Sequence, residues 1–296
     1  MKTLIPLKKL PLIFLLVFFT FSTFGWAQTP IKLKHFSQQT PSPENIVPYG
    51  NNPDAGNYVN AGDAKIYYEV YGQGQPLVVL HGGIFGSTFE MFQLIDSLKQ
   101  NYHVIAVSTR GHGKSELGYE PITYEQKAKD VISVINAVTK DSVIVLGFSD
   151  GGFTGYKLAS MYPERVKKLI AIGASELYPG IRNFSYDAGQ AYELESVYWD
   201  QQLSLMPEPH RLQEMFSGLA NMYNNLTIGK EFLDTIKSPV FVMAGDRDQS
   251  NPVLRVVNTA HMIQNSQLSI IPNTTHATFL ENFPAVWASI LPFLNR

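Results

Sequence analysis

Ser149 stands at the centre of a Gly-x-Ser-x-Gly pattern, directly after the apolar run 143–148. The run predicts a buried strand, and the residues after the pattern have the spacing of a helix. A serine on the sharp turn between such a strand and helix holds its hydroxyl away from the sheet, and the small residues Gly147 and Gly151 let the backbone pack closely there. The N-terminus of the helix favours negative charge beside the turn. The pattern therefore predicts a nucleophile mounted next to an anion site.

Partners for this serine lie further along the chain, where two acids and a histidine follow apolar runs. Asp246 and Asp248 come just after the run 240–244, and His276 comes soon after the run 268–271. If both runs are parallel strands, their carboxyl ends meet at the edge of the sheet where ligands bind. A neutral histidine can take the proton of a serine hydroxyl, and a carboxylate can hold the imidazole in the required tautomer. These residue types indicate acyl transfer to a serine.

Two other histidines are weaker candidates for the base. His112 lies between two glycines in the loop after the run 104–107, where we expect it to order the loop. His261 lies inside a predicted helix, 253–263, and not after a strand.

A second glycine turn lies earlier in the chain. His81-Gly82-Gly83 follows the apolar run 77–80 and precedes a predicted helix, 89–98. Glycines between a strand and a helix can present backbone N–H groups to an anion, although a tight turn alone would have the same composition. Beside a reactive serine, we expect the anion-binding role.

The elements that position these residues alternate regularly. Apolar runs alternate with helical patterns, which favours an α/β architecture with a mostly parallel central sheet flanked by helices. The alternation breaks over residues 175–236, a mainly helical and aromatic stretch that predicts a cap inserted after the sixth strand. The core would comprise 57–174 and 237–296. Most aromatic residues of the cap should pack among themselves, and a minority should contact a ligand.

The N-terminus has the pattern of an export signal. Lysines precede the apolar run 10–24, and Ala27 offers a cleavage site. Because the run is shorter than the roughly 20 apolar residues of a spanning helix, we expect a removed signal at 1–27 and no stable membrane insertion. The mature protein would be periplasmic or secreted. Residues 28–56 are rich in Pro, Gln, Ser and Asn and predict an extended leader.

Composition excludes several classes of site and partner. The chain has 296 residues, no cysteine and a formal charge of -2. Without cysteine there is no disulfide, no thiolate metal site and no cysteine nucleophile. The near-neutral charge gives no reason to expect nucleic acid as a partner. We expect no metal and no organic cofactor.

Together the motifs resemble the α/β-hydrolase superfamily from about residue 58 to residue 294. The resemblance rests on Gly-Phe-Ser-Asp-Gly-Gly, His-Gly-Gly, Arg-Gly-His-Gly-Lys-Ser and Gly-Asp-Arg-Asp, and on the order serine, acid, histidine. Within the superfamily, Ser149-Asp-Gly-Gly and Tyr162-Pro-Glu-Arg-Val look most like the valacyclovir-hydrolase group of serine esterases. Ser108 departs from the aspartate usual before Thr-Arg-Gly-His-Gly, which bears on loop packing.

The resemblance implies a catalytic triad of Ser149, His276 and Asp248, with Asp246 assigned to the turn. The α/β-hydrolase fold would place the three at one edge of the sheet.

The resemblance also implies an oxyanion hole made by the backbone N–H groups of Gly83 and Asp150, with Ile84 as an alternative donor. In the valacyclovir-hydrolase group the aspartate that matches Asp150 binds the amino group of the substrate, so esters carrying an amine are suggested. Further residues predicted to contact the substrate are Phe85, Phe148, Tyr198 and Trp199.

The sequence therefore predicts an exported serine hydrolase that cleaves carboxylic esters through an acyl-enzyme intermediate. One alternative is a lactonase, including one that opens macrocyclic lactones such as macrolides, because an exported enzyme with an aromatic cap would meet such compounds. Another alternative is a binding protein that keeps the fold without turnover, against which the complete set of triad residues argues. The expected partner is a small-molecule ester or lactone, and the sequence does not set the oligomeric state.

Overall fold

The computed structural model describes residues 47–296, which form an eight-stranded sheet with helices on both faces. The strands are β1 Gly56–Ala61, β2 Ala64–Tyr71, β3 Gln75–Leu80, β4 Tyr102–Val107, β5 Val143–Phe148, β6 Val166–Ile172, β7 Val240–Gly245 and β8 Ser266–Ile271. The helices are α1 Phe92–Leu98, α2 Tyr124–Val138, α3 Asp150–Met161, α4 Ala188–Leu194, α5 Ser196–Leu205, α6 Leu212–Asn224, α7 Lys230–Leu233, α8 Val253–Met262, α9 Thr278–Glu281 and α10 Phe283–Leu294. Two 3₁₀ helices span Thr88–Met91 and Pro209–Arg211.

The strand order is β1-β2-β4-β3-β5-β6-β7-β8. β2 pairs antiparallel with both β1 and β4, and every other pairing is parallel. The predicted α/β-hydrolase fold, with its mostly parallel sheet, is confirmed. The parallel strands bring the ends of β3, β5, β7 and β8 to one edge of the sheet, where the predicted site residues follow them.

Both faces of the sheet are covered, which explains why its central strands read as continuous apolar runs. Every residue of β5 is buried. Along β3, Val78 and Leu80 pack in one core with residues of α2 and α3, whereas Leu77 and Val79 pack in a second core with residues of α1 and α10. The sheet therefore separates two cores and forms a rigid support for the loops at its edge.

Helices α4 to α7 lie between β6 and β7, within the stretch 175–236 where the sequence predicts a cap. The two ends of this insertion are joined by backbone hydrogen bonds between Leu177 and Ile228, at 3.0 and 2.6 Å. The base of the cap is thus closed by the pairing of its own two ends.

The end of the predicted leader is tied to the sheet. The carboxylate of Glu69, a fully buried residue of β2, accepts the backbone N–H groups of Gly50 and Asn52, each at 2.7 Å. The predicted signal, 1–27, and the leader as far as residue 46 lie outside the described residues. Within residues 47–296, no helix is long and apolar enough to cross a membrane.

Candidate active site

Ser149 occupies the turn between β5 and α3 with φ 51° and ψ -113°. A residue other than glycine is strained at positive φ, and such strain persists only where the surrounding packing enforces it. A Cβ at Gly147 would lie 2.2 Å from the carbonyl oxygen of Gly151, and a Cβ at Gly151 would lie 2.5 Å from that of Leu80. Both positions therefore require glycine, and the packing holds the Ser149 side chain at the edge of the sheet.

A continuous chain of hydrogen bonds links the serine to a histidine and an acid. The hydroxyl of Ser149 lies 2.9 Å from Nε2 of His276, whose Nδ1 lies 2.8 Å from Oδ2 of Asp248. Oδ1 of Asp248 accepts the backbone N–H groups of Ser250 and Asn251 at 2.8 and 2.9 Å. Because the carboxylate accepts the Nδ1 proton of His276, Nε2 is left to accept the serine proton.

Asp248 is held in its charged form. Burial raises the pKa of this carboxyl, but the hydrogen bond and charge of His276 and the N–H of Asn251 outweigh burial and lower the pKa below its usual value. The structure thus brings together the three residues that the sequence predicts as a triad.

Asn251 belongs to this arrangement, although sequence reasoning missed it. Its Nδ2 donates to the carbonyl oxygen of Gly173 at 2.7 Å and to Oδ2 of Asp248 at 3.3 Å. Asp246, the other acid after β7, is exposed and accepts the backbone N–H of Thr274 at 3.2 Å. It serves the turn, and it does not contact the histidine.

The side chain of His81 fixes the His-Gly-Gly turn. Its Nδ1 donates to the carbonyl oxygen of Gly82 at 2.6 Å, and its Nε2 accepts the backbone N–H of Thr109 at 3.0 Å. The ring of His112 packs against it, with centroids 5.0 Å apart. Burial lowers the pKa of His81 to about 4 and that of His112 to about 3, so both rings are neutral at neutral pH. His112 therefore helps to order the loop, while His261 is exposed near the end of α8.

The three predicted oxyanion donors line the same cavity as Ser149. Asp150 is the first residue of α3, where backbone N–H groups have no partner within the helix. Gly83 lies so close to α3 that a Cβ there would be 2.9 Å from Cβ of Asp150. Ile84 has φ 51°, a second strained position in this wall. The loop after β3 and the first turn of α3 thus line one space beside Ser149.

The side chain of Asp150 is already paired. It is 2% exposed, its Oδ2 contacts Nζ of Lys127 on α2, and its Oδ1 accepts the hydroxyls of Tyr124 and Tyr223 at 3.0 and 3.1 Å. Burial raises the pKa of Asp150, but the charge of Lys127 outweighs burial and lowers the pKa below its usual value. The ammonium of Lys127 thus already pairs with the carboxylate that would bind a substrate amine. That Asp150 recognises an amine stays a prediction, which this pairing disfavours.

Two cavities meet at Ser149 and His276. One of about 240 Å³ extends along the cap, and the other, of about 190 Å³, lies on the side of the 3₁₀ helix after the His-Gly-Gly turn. Phe85 lines both. An ester centred on Ser149 can therefore place its acyl group in one cavity and its alcohol group in the other; these two groups are the arms of the ester. Within residues 47–296, no group of three or more His, Asp or Glu side chains is arranged to hold a metal ion.

The aromatic residues predicted to contact a substrate divide into two pairs. Phe85 and Phe148 line the cavities. Tyr198 and Trp199 do not, which corrects the prediction: the Tyr198 hydroxyl donates to the carbonyl oxygen of Phe85 at 2.6 Å, and the Trp199 ring packs 6.2 Å from that of Phe85. Both are buried behind Phe85 and position it. The residues of the cap insertion that line the larger cavity are Leu177, Arg182, Phe184, Tyr186 and Tyr223.

The smaller cavity contains a buried acid. Glu90 is 5% exposed and lines this cavity together with Ser149 and His276. Burial raises its pKa to about 8, and the hydrogen bond from the N–H of Ser87 offsets only part of the increase. The carboxyl group is therefore protonated at neutral pH and has a proton to donate.

Comparison with known proteins agrees with this geometry. A family model described as alpha/beta hydrolase fold matches residues 76–204. The chain is similar to the serine hydrolase BPHL of Mus musculus, with 26% identity over 228 residues, 71% of this chain and 76% of that protein. It is also similar to 3-oxoadipate enol-lactonase 2 of Acinetobacter baylyi, with 31% identity over 113 residues, 38% of this chain and 42% of that protein.

Among solved structures, the fold is similar to that of CarC, a serine hydrolase involved in carbazole degradation. The TM-score is 0.67 at 23% identity, and the match covers 81% of this chain and 98% of CarC. The family model and the solved structure agree that the chain has the α/β-hydrolase fold. The proteins that it resembles in sequence include serine hydrolases, an esterase or lipase and an enol-lactonase.

The raised pKa of Glu90 predicts a specific dependence of stability on pH. Between the usual glutamate pKa and about 8, the folded protein retains a proton that the unfolded chain has lost. The contribution of Glu90 to the free energy of unfolding is therefore fully present below the usual glutamate pKa. It is lost as the pH rises to about 8, by up to about 1.4 kcal/mol per pH unit. The free energy of unfolding of Glu90→Gln, relative to that of the wild type, should therefore increase from pH 5 to pH 8.

Urea unfolding at pH 5, 7 and 9 measures this difference. Glu164→Gln, at an exposed position, is the matched control and should differ from the wild type by the same amount at each pH. A constant difference between Glu90→Gln and the wild type would contradict the assignment of a buried, protonated Glu90.

Proposed function

We propose that the protein is an exported serine hydrolase that cleaves carboxylic esters through a Ser149–His276–Asp248 triad and an acyl-enzyme intermediate. The observation that carries the proposal is the unbroken hydrogen-bond chain from the Ser149 hydroxyl through His276 to Asp248. A serine hydroxyl is a poor nucleophile at neutral pH unless a base is in contact with it, and here Nε2 of His276 is that base.

In the first half of the reaction, Oγ of Ser149 attacks the ester carbonyl carbon and its proton passes to Nε2 of His276. Asp248 stabilises the resulting imidazolium and keeps the ring oriented. The carbonyl oxygen becomes an oxyanion, which the N–H groups of Gly83 and Asp150 stabilise, and each such donor typically contributes about 3 kcal/mol. When the tetrahedral intermediate collapses, the bond to the leaving alkoxide breaks and that oxygen takes the proton from Nε2.

In the second half, water repeats the sequence on the acyl-enzyme. Nε2 of His276 takes a proton from water as the hydroxide oxygen attacks the acyl carbon. The intermediate then collapses with loss of Oγ of Ser149, which recovers its proton from Nε2. The products are an acid and an alcohol, and the enzyme returns to its starting state.

The two cavities favour substrates with small arms. Their volumes, about 240 and 190 Å³, are below the usual 300–1,000 Å³ of sites for drug-sized ligands. A macrocyclic lactone exceeds the larger cavity as it stands, so the macrolide alternative has no support from the cavity dimensions.

A small-ring lactonase is the second candidate. The similarity to 3-oxoadipate enol-lactonase 2 favours it, and the same steps open a lactone, with the leaving alkoxide still attached to the acyl group. A non-catalytic binding protein is disfavoured, because the strained turn at Ser149 and the connected triad would have no use without a reaction.

Hydrolysis of p-nitrophenyl esters from acetate to octanoate tests the proposal. We expect turnover of the short esters by the wild type and a loss of at least about 10⁴-fold in kcat for Ser149→Ala, because the nucleophile is removed. Ser204→Ala, at an exposed position of the cap, is the control and should retain wild-type rates. Equal activity in Ser149→Ala and the wild type would refute the mechanism, and a folded wild type that turns over neither these esters nor small lactones would refute the function.

Export is a separate part of the proposal, supported by the lysines and the apolar run that precede Ala27. N-terminal sequencing of the native protein from fractionated cells should find it outside the cytoplasm, with its first residue close to Gln28. A cytoplasmic protein that retains residues 1–27 would contradict this expectation.

A further inference from the structure

Arg182 brings a positive charge to the wall of the larger cavity. It lies in the segment between β6 and α4 and lines the same space as Ser149 and His276. Its guanidinium lies over the ring of Phe184, 5.6 Å from the centroid, so the plane of the group is supported on one side by the cap.

No acid within residues 47–296 neutralises this guanidinium. Two other arginines of the described chain form ion pairs, Arg110 with Asp63 and Asp130, and Arg211 with Glu208 and Glu214, whereas the partly buried Arg165 and Arg255 form none. Arg182 forms no ion pair there, and its Nε is buried without a hydrogen-bond partner. Its nearest polar contact is a long one, 3.5 Å from Nη2 to Oδ1 of Asn251. That oxygen already accepts the hydroxyl of Ser175 at 2.8 Å.

The surroundings increase the positive charge near Arg182. Burial lowers its pKa, and the charge of nearby Arg255 lowers it further, although a guanidinium stays protonated at neutral pH. Arg255 also has a buried Nη1 without a partner, and its Nη2 reaches only the carbonyl oxygen of Ser250 at 3.5 Å.

The acids of the site offset only part of these charges: the negative charge of Asp248 raises the pKa of Arg182, but burial and Arg255 outweigh it. The carboxylate of Asp248 is occupied by His276 and Asn251, and that of Asp150 is occupied by Lys127. A partly buried cation whose buried Nε has no partner is costly, because that group has lost water and gained no hydrogen bond in exchange. An anion between the cavity wall and these guanidiniums would supply the missing contacts.

We propose that Arg182 is a carboxylate-binding residue, and that the preferred esters or lactones of this enzyme carry a carboxylate on the arm that fills the larger cavity. The proposal rests on the proposed function and names its substrate class. The fork formed by Nε and the Nη groups matches the two oxygens of a carboxylate, which makes the pair specific as well as strong. Leu177 and Tyr186 provide an apolar wall for the chain that joins this carboxylate to the ester.

Two pairs of substrates test the proposal, one for each arm of the ester. On the acyl side, the p-nitrophenyl half-ester of adipic acid is compared with p-nitrophenyl hexanoate. On the alcohol side, 4-acetoxybenzoate is compared with 4-methylphenyl acetate. In one of the two pairs, wild-type kcat/KM should be roughly 10- to 100-fold higher for the anionic ester, the range for a hydrogen-bonded ion pair.

The variants identify the residue responsible. Arg182→Gln should abolish the preference mainly through a higher KM for the anionic ester, because the contact is made equally in the ground and transition states. Arg182→Lys keeps the charge but loses the fork, so it should restore part of the preference. Arg211→Gln removes an equal charge from the cap away from the cavity and should leave the preference intact.

The results distinguish loss of the carboxylate site at Arg182 from loss of the serine hydrolase activity. If wild type hydrolyses the neutral esters with no preference in either pair, the carboxylate site is refuted and the serine hydrolase stands. A preference that survives in Arg182→Gln also refutes the role of Arg182. If Ser149 is not needed for hydrolysis of any of the four esters, the proposed function fails. The carboxylate site would still be supported if adipate binds to Ser149→Ala and does not bind to the double variant Ser149→Ala, Arg182→Gln.

Discussion

Close contact between β5 and α3 is the constraint on which the site depends. The backbone of Gly151 approaches Gly147 so closely that Gly147 has no room for a side chain, and a Cβ at Gly151 would meet the carbonyl oxygens of Leu80 and His81. This contact forces Ser149 into a strained conformation and aims its hydroxyl out of the sheet. It also places the N-terminus of α3 directly behind the serine, where its unpaired N–H groups can stabilise an oxyanion. The loops after β7 and β8 then need only to reach the same edge to deliver Asp248 and His276.

The charges around the serine are arranged so that only a few are available to a ligand. Lys127 neutralises the side chain of Asp150 beside the predicted oxyanion donors. Burial keeps His81, His112 and Glu90 uncharged at neutral pH. What remains is the carboxylate of Asp248, which contacts the histidine, and the guanidinium of Arg182, which has no acidic partner in the described chain. Arg182 therefore gives the larger cavity a positive charge, whereas an unpaired Asp150 would have given it a negative one.

Much of the fold and the triad could be predicted because each rests on local pattern. Buried parallel strands appear as continuous apolar runs, and Ser149, Asp248 and His276 each follow one. The pairing of Lys127 with Asp150 joins residues far apart in the chain, and the resemblance to amine-binding relatives pointed the other way. A signal was present, since Lys127 lies on the same face of α2 as Tyr124, Ala128 and Val131, a face that is otherwise buried. A lysine on such a face needs a buried partner.

The cap was the least predictable part. Its aromatic residues have the same composition whether they pack internally or line a cavity, so the pattern did not separate Tyr198 and Trp199 from Phe184 and Tyr223. The difference depends on how the helices of the cap turn relative to the core, which is a property of tertiary packing. Arg182 was missed for the same reason, because a single arginine in a loop is usually solvated.

Covalent labelling determines whether the strained serine is the nucleophile that His276 and Asp248 activate. The protein is incubated with a fluorophosphonate, and its intact mass and peptide map are followed over time. We expect one adduct, located on Ser149, with a rate that falls by several orders of magnitude in Asp248→Asn, because the imidazole then loses its required tautomer. An adduct on another residue, or labelling of Ser149 at an unchanged rate in Asp248→Asn, would contradict this mechanism.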